Sequence, residues 1–147
     1  MSQIELDNIS SRRESLSTRA TNDESSSEAV VDMSVLTSFE EVQIDDEPDL
    51  IVELIDLYLE DAPRQMSIMQ KAVKEADERT LKRAAHSLKG SSANLGIRRM
   101  AALCAEIERA DCNDSFQAAK LLFARMQGES ERVRQVFMTE RQRRLLK

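Results

Sequence analysis

The sequence predicts an all-α fold, an antiparallel up-down four-helix bundle with a short N-terminal capping helix, and three observations predict it. Glycine and proline are scarce, at 3 and 2 of 147 residues, and aromatic residues make up only 3%. The remainder is rich in Leu, Ala, Glu, Lys, Arg and Met, which favour helices, whereas a sheet wants β-branched and aromatic side chains and more turn formers. Apolar residues also recur at helical spacing in four successive segments. Four amphipathic helices joined by short connections bury their stripes most simply as an antiparallel bundle. At 41% hydrophobic residues one domain has core enough, and two would be cramped.

Taken in order, residues 1–31 are rich in serine and charge, show no apolar period, and read as a disordered tail. Ser34 to Val42 is a short amphipathic segment with Val35, Leu36 and Phe39 apolar and Ser34 available as its N-cap. The first long helix is expected to start near Pro48 and Asp49, with proline at its first position and acids nearby. Its stripe is Ile51, Leu54, Ile55, Tyr58, Ala62, Met66, Met69, Val73 and Ala76, interrupted at Pro63 by a kink or brief break. The second begins after Asp77 as N-cap and runs to Leu95, where Gly96 supplies a left-handed stop and Ile97 the apolar residue that often follows one.

The third long helix carries Met100, Leu103, Cys104, Ile107 and Ala110 and ends near Asp111 to Asn113. The fourth, capped by Asp114 or Ser115, carries Phe116, Ala119, Leu122, Phe123, Met126, Val133 and Phe137, with Gly128 as its weakest position at about 1 kcal/mol against alanine. The bundle is thus expected over residues 32–141, with 142–147 as a basic C-terminal tail. Met66, Met69, Met100 and Met126 are read as core filling, Met66 near a rim.

No apolar run approaches the roughly 18 residues that span a bilayer, and no basic segment followed by an apolar one opens the chain, so a cytoplasmic protein without membrane attachment is expected. Cys104 and Cys112, with one histidine, are too few for a disulfide scaffold or a common zinc site, and both are read as reduced thiols, Cys104 half buried. No metal or cofactor is expected on this chain. The lack of an aromatic stacking platform argues against a nucleic-acid module, and a single histidine argues against a di-metal carboxylate bundle.

The net charge of -6 conceals a division: residues 1–63 hold 17 acids and 3 bases, residues 64–147 hold 10 acids and 18 bases. From Arg79 to Leu103 there are six bases and no acid, a positive field that would draw an anionic partner surface. The one histidine, His86, lies within it. On a helical wheel His86 points about 140° from the buried stripe of Leu81, Ala84, Ala85, Leu88, Ser92 and Leu95. Arg79, Lys82, Gly90 and Ala93 share its strip, with Lys89 and Arg83 about 60° to either side.

An exposed histidine can offer a neutral ring nitrogen as a nucleophile, for which it must be reachable. Side chains lean toward the helix N-terminus, so the residue four positions on is the one that would cover the ring, and here it is Gly90. Lys89 and Lys82 could stabilise the oxygens of a transferring phosphoryl group, and Arg83 could steer a partner. Basic Arg98 and Arg99 divide evenly between solvated surface and partner contact. The rival reading is a non-catalytic helical scaffold or adaptor that binds a signalling partner.

The segment AHSLKGSSANLG resembles the signature of histidine-containing phosphotransfer (HPt) domains, in which a bundle histidine is followed by lysine at the third and glycine at the fourth position. LIDLYLEDAPRQM upstream and MAALCAEIE downstream resemble that family's flanking helices, so the likeness extends over about residues 32–138. It implies a phosphoryl carrier of two-component phosphorelays, loaded by a receiver-domain aspartate and discharging to another receiver. His86 would be the phosphoacceptor, Lys89 its electrostatic support, and Lys82, Arg83, Gly90 and Ala93 the partner face. Glu108, where similar domains often hold an acid or amide, would bond the imidazole and fix its tautomer, against a plainer reading as a surface acid paired with Arg109's turn.

The resemblance further implies response-regulator receiver domains and a hybrid sensor histidine kinase as partners, with Mg²⁺ supplied by the receiver. Common sensor kinases resemble one another in carrying an acid directly after the histidine, where this chain has Ser87, and no glycine-rich nucleotide loop is present. A carrier without kinase activity is therefore expected. A histidine that must be reached also favours a monomer.

Overall fold

The computed structural model describes residues 29–146, so the expected tail lies outside the described residues up to position 28. Among the described residues there are five α-helices and two 3-10 turns: α1 (Met33–Ser38), a 3-10 turn (Phe39–Val42), α2 (Leu50–Lys74), α3 (Glu78–Asn94), α4 (Arg98–Arg109), a 3-10 turn (Cys112–Asp114) and α5 (Gln117–Leu145). Helix α3 packs on α2 and α4, and α5 on α4 and α2, which closes the four long helices into the expected bundle. Among the described residues, no helix is long and apolar enough to cross a membrane.

The long helices start where carboxylates can serve their free amides. Asp49 is the N-cap of α2, its Oδ1 accepting from Ile51 N at 2.9 Å and Val52 N at 3.3 Å, so Pro48 stands just before the cap and not at the first helical position. Asp77 caps α3, accepting from Thr80 N at 3.1 Å and from the Thr80 hydroxyl at 2.7 Å. Pro63 lies inside α2 without ending it, because the apolar stripe on both sides stays in phase. Gly128 likewise leaves α5 unbroken.

Helix α3 stops at Gly96, whose φ of 77° places it in the left-handed region, and Ile97 N returns to Ser92 O at 2.9 Å. The same turn seats α1. Asp32 N donates to Gly96 O at 2.8 Å, and a Cβ on Gly96 would stand 2.9 Å from the Asp32 carbonyl oxygen. Asp32, not Ser34, caps α1, its Oδ1 accepting from Ser34 N at 3.1 Å. Val31 is buried and Val30 packs against the core, so the packed chain begins before the expected boundary at 32.

The core is the sum of the predicted stripes except for Ala76, which lies beyond the end of α2, exposed and with a left-handed φ of 56°. Ile51, Ile55, Leu81, Leu88, Met100, Ile107, Met126 and Phe137 are fully buried, with Val52 and Ala72 replacing the half-buried Leu54 and Val73 as the inner edge of α2. Tyr58 and Phe137 meet edge to face at 5.6 Å. Met69, Met100 and Met126 are core and Met66 sits at its edge. Cys104 and Cys112 are free thiols, and both are buried, Cys104 entirely and not by half.

The last helix departs from the sequence reading at both ends. Of the two expected caps of α5, Asp114 serves, accepting from Gln117 N and Ala118 N, while Ser115 and Phe116 both take an unexpected left-handed backbone, φ 62° and 64°. The supposed tail at 142–147 continues α5 to Leu145. Arg144 is buried there, reaching Glu40 Oε2 at 2.6 Å, Glu140 Oε2 at 2.8 Å and Asp49 Oδ2 at 3.3 Å. A guanidinium with five donors can satisfy three carboxylates at once, which ties the 3-10 turn after α1 to both ends that meet there.

Candidate functional site

His86 sits in the middle of α3 on the side away from Leu81, Ala85 and Leu88, and its side chain is 71% exposed. The helix is held in rotation by its buried face. Ser92, within the apolar stripe, is fully buried, and its hydroxyl pairs with Tyr58 OH at 2.8 Å, a bond across to α2. Burial raises the Tyr58 hydroxyl well above its ordinary pKa, so it stays protonated and able to donate.

One turn beyond His86, Gly90 is exposed, and a Cβ there would meet nothing within 4 Å. Its φ is not left-handed. Neither backbone conformation nor internal packing therefore calls for glycine at this position, and the space it leaves is open. Ala93 and Ser87 are exposed on the same surface.

The second half of the site comes from α4. His86 Nδ1 lies 2.8 Å from Glu108 Oε2, and Lys89 Nζ lies 2.5 Å from Glu108 Oε1. The Lys89 hydrogen bond is the main influence holding the Glu108 carboxyl below its ordinary pKa, with burial opposing and the His86 bond assisting. An ionised carboxylate can only accept, so Nδ1 donates and carries the proton. The other ring nitrogen, Nε2, is then the one with a free lone pair. Of the two readings of Glu108, the geometry selects the contact with the imidazole.

Lys82 occupies the strip but turns elsewhere. Its Nζ donates to Ala110 O at 2.9 Å and pairs with Glu78 Oε2 at 2.8 Å, and the Glu78 bond is the main influence raising its pKa. It thereby ties α3 to the C-terminal end of α4, two residues beyond Glu108. The Glu78–Lys82 spacing of four was a readable signal for this pairing. Arg83 is exposed on the flank. Arg98 pairs with Asp32 at 2.7 Å and Arg99 with the buried Glu129 at 3.2 Å, which gives both a structural engagement.

Two grooves flank these helices. One, between α2 and α3, is lined by Leu54, Leu57, Tyr58, Asp61, Ser91 and Leu95, so it opens beside the turn that holds Gly90. A larger one between α4 and α5, lined by Arg99, Arg125 and Arg132 among others, includes none of the residues of the His86 strip.

Comparison with known proteins bears on the same segment. Multistep phosphorelay regulator 1 of Schizosaccharomyces pombe is 34% identical over 79 residues, and the chain spans only 27% of that protein's length. The crystal structure of histidine-containing phosphotransfer protein B from Pseudomonas aeruginosa PAO1 superposes with a TM-score of 0.69 at 32% identity, covering 78% of this chain and 96% of that one. The HPT domain of a sensor hybrid histidine kinase from Shewanella shares the fold, with a TM-score of 0.59 at 18% identity over 75% of this chain and 92% of that domain. Residues 53–136, from the first turn of α2 to the last third of α5, match the Hpt domain itself. With the histidine, the lysine and the glycine on one exposed helical strip inside that span, the chain belongs to the Hpt domain family.

Proposed function

We propose that this protein is a phosphoryl carrier of a phosphorelay, loaded at His86 by the phosphoaspartate of one receiver domain and discharged to the aspartate of another. The observation that carries the reading is the state of the imidazole: exposed, with Nδ1 committed to Glu108, which leaves the lone pair on Nε2, and with Gly90 one turn on adding no side chain. In the loading step the Nε2 lone pair attacks phosphorus, an N–P bond forms, and the P–O bond to the aspartate breaks, its electrons leaving on the carboxylate. Nδ1 keeps its proton, so the ring becomes cationic, and the Glu108 carboxylate beside it stabilises that charge. Discharge is the reverse, with a second aspartate as nucleophile.

The receiver supplies the aspartate and the Mg²⁺ that neutralises the phosphoryl oxygens, and a hybrid sensor kinase is the source of the group upstream. Ser87 after the histidine offers no carboxylate base, in keeping with a cytoplasmic, monomeric carrier that does not phosphorylate itself. Gly90, Ala93 and Arg83 form the face on which a receiver settles. Incubation with a phosphorylated receiver domain should leave an acid-labile phosphoryl group on this protein, and His86→Gln should remove it. Labelling that survives the substitution refutes the assignment.

A further inference from the structure

The groove between α4 and α5 is built around a buried acid. Glu129 lines it with a side chain only 4% exposed, and both carboxylate oxygens are used: Oε2 accepts from Arg99 Nε at 3.2 Å, Oε1 from Arg132 Nε at 3.2 Å and Nη2 at 3.0 Å. The carboxylate thus holds two guanidiniums in place on the groove, and Arg132 keeps its Nη1 donors for a further acceptor. Arg125 on the same groove is exposed and has no ion-pair partner among the described residues. Gly128 is exposed there too. Its φ is not left-handed, and a Cβ would meet only the Arg132 guanidinium, at 3.7 Å, an ordinary contact. Glycine inside a helix costs about 1 kcal/mol against alanine, and at 128 neither the backbone nor the interior calls for it. Its effect is to leave the groove open.

We propose that this groove seats residues 23–28 of the chain itself, with Asp23, Glu24 and Glu28 answering Arg99, Arg125 and Arg132. Two observations select that occupant. The first is where the described chain begins. Ala29 lines one crevice with Gly96 and Arg98, Asp32 N donates to Gly96 O at 2.8 Å, and the Asp32 carboxylate pairs with Arg98 at 2.7 Å. The chain therefore enters the fold beside the first turn of α4, next to Arg99. From Arg99 to Glu106 the groove follows α4 for about 10 Å, and six extended residues reach about 20 Å. The second is charge. Residues 23–28 hold three acids and no base, whereas the groove holds three arginines against Glu106 and a Glu129 that already serves two of them. A segment joined directly to the fold needs little affinity of its own, since a short tether gives it an effective concentration in the millimolar range. The groove shares no residue with the His86 strip, so the inference stands apart from the carrier reading.

In the full chain, Asp23→Asn, Glu24→Gln and Glu28→Gln together remove the charge of the segment and leave every described residue in place. Between wild type and this variant the ¹⁵N–¹H resonances of the Leu103 and Gly128 amides and of the Arg125 side chain should move, while the amides of Ser87 and Ala93 stay. Sodium chloride at 1 M, with a screening length of about 3 Å, should carry the groove resonances of the wild type toward those of the variant. Arg125→Gln, which breaks no ion pair among the described residues, should reduce the shift at Gly128 at least about twofold. Groove resonances that are the same in wild type and neutralised chain overturn the proposal, as do shifts confined to the His86 strip. Shifts that grow with protein concentration place the segment in the groove of a second copy. A groove indifferent to the neutralisation that responds to an added acidic peptide belongs to a separate partner. Either result overturns the assigned occupant.

Discussion

Placing a side chain at position 90 should make the protein more stable and less able to transfer a phosphoryl group. Glycine in an exposed helix interior is less favourable than alanine by about 0.8–1 kcal/mol. That gain is usually eroded by a clash or an unusual φ, and position 90 has neither, since a Cβ meets nothing within 4 Å and the φ is not left-handed. Gly90→Ala should therefore raise stability by nearly the whole of about 1 kcal/mol, a shift of about 4 °C in the melting temperature of a domain this size. A helical side chain leans back over the preceding turn, so anything larger than hydrogen at 90 crosses the approach to Nε2 of His86. Displacing the reacting atoms by about 1 Å can cost about 10²-fold in rate. Transfer from a phosphorylated receiver should fall severalfold for Gly90→Ala and by about 10²-fold for Gly90→Gln. Thermal melts and single-turnover transfer on the same preparations provide the assay. A destabilised Gly90→Ala, or a Gly90→Gln that transfers at full rate, would refute the claim that the glycine is there for access.

Other substitutions test the frame that holds the site. Gly96→Ala should destabilise by about 2–3 kcal/mol, because it combines a left-handed φ with a Cβ driven against the Asp32 carbonyl; thermal denaturation showing less than about 1 kcal/mol would contradict this. Tyr58→Phe leaves the fully buried Ser92 hydroxyl without its partner and should cost about 1–3 kcal/mol, whereas adding Ser92→Ala should cost little more; full additivity in denaturant melts would mean that the bond contributes nothing. For Glu108, whose carboxyl is held below its ordinary value, the sign follows from linkage: its contribution is complete above the unfolded value near 4.5 and is lost as pH falls through the lower folded value. The stability gap between wild type and Glu108→Gln should thus be flat from neutrality to about pH 5 and shrink in more acidic melts; a gap unchanged at pH 3 would count against an ionised Glu108.

The fold was legible wherever one helix could be read by itself. Stripe periodicity marks the buried faces of all four long helices, and Asp49, Asp77 and Gly96 mark their ends, because caps and stops act within a turn of their own residue. Legibility stopped where two segments had to be placed against each other. Arg144 looks like part of a basic tail until Glu40 and Asp49 are beside it, and those carboxylates are about a hundred residues away in the chain. Two left-handed residues in a row, Ser115 and Phe116, have no local signal, since phenylalanine gains nothing there except burial of its ring. Within the site, His86, Lys89 and Gly90 follow from one helix. A wheel gives the direction of each Cβ but not the end of a flexible chain, so Lys82 and Lys89 both looked free while each was bound to α4 or its C-terminal end.

The placement of the acid bears on how such a site would take up and release a phosphoryl group. Among the described residues the hydrogen bond of His86 is at Nδ1, and the next residue is Ser87. With no base at Nε2, that nitrogen has to be proton-free before a donor arrives, and Glu108 arranges this by claiming the proton for Nδ1. The same carboxylate then faces the cationic ring formed by the N–P bond, in either direction of transfer. A fixed anion on the far nitrogen would thus serve loading and discharge alike, which suits a reversible relay whose direction of flow is left to the partners.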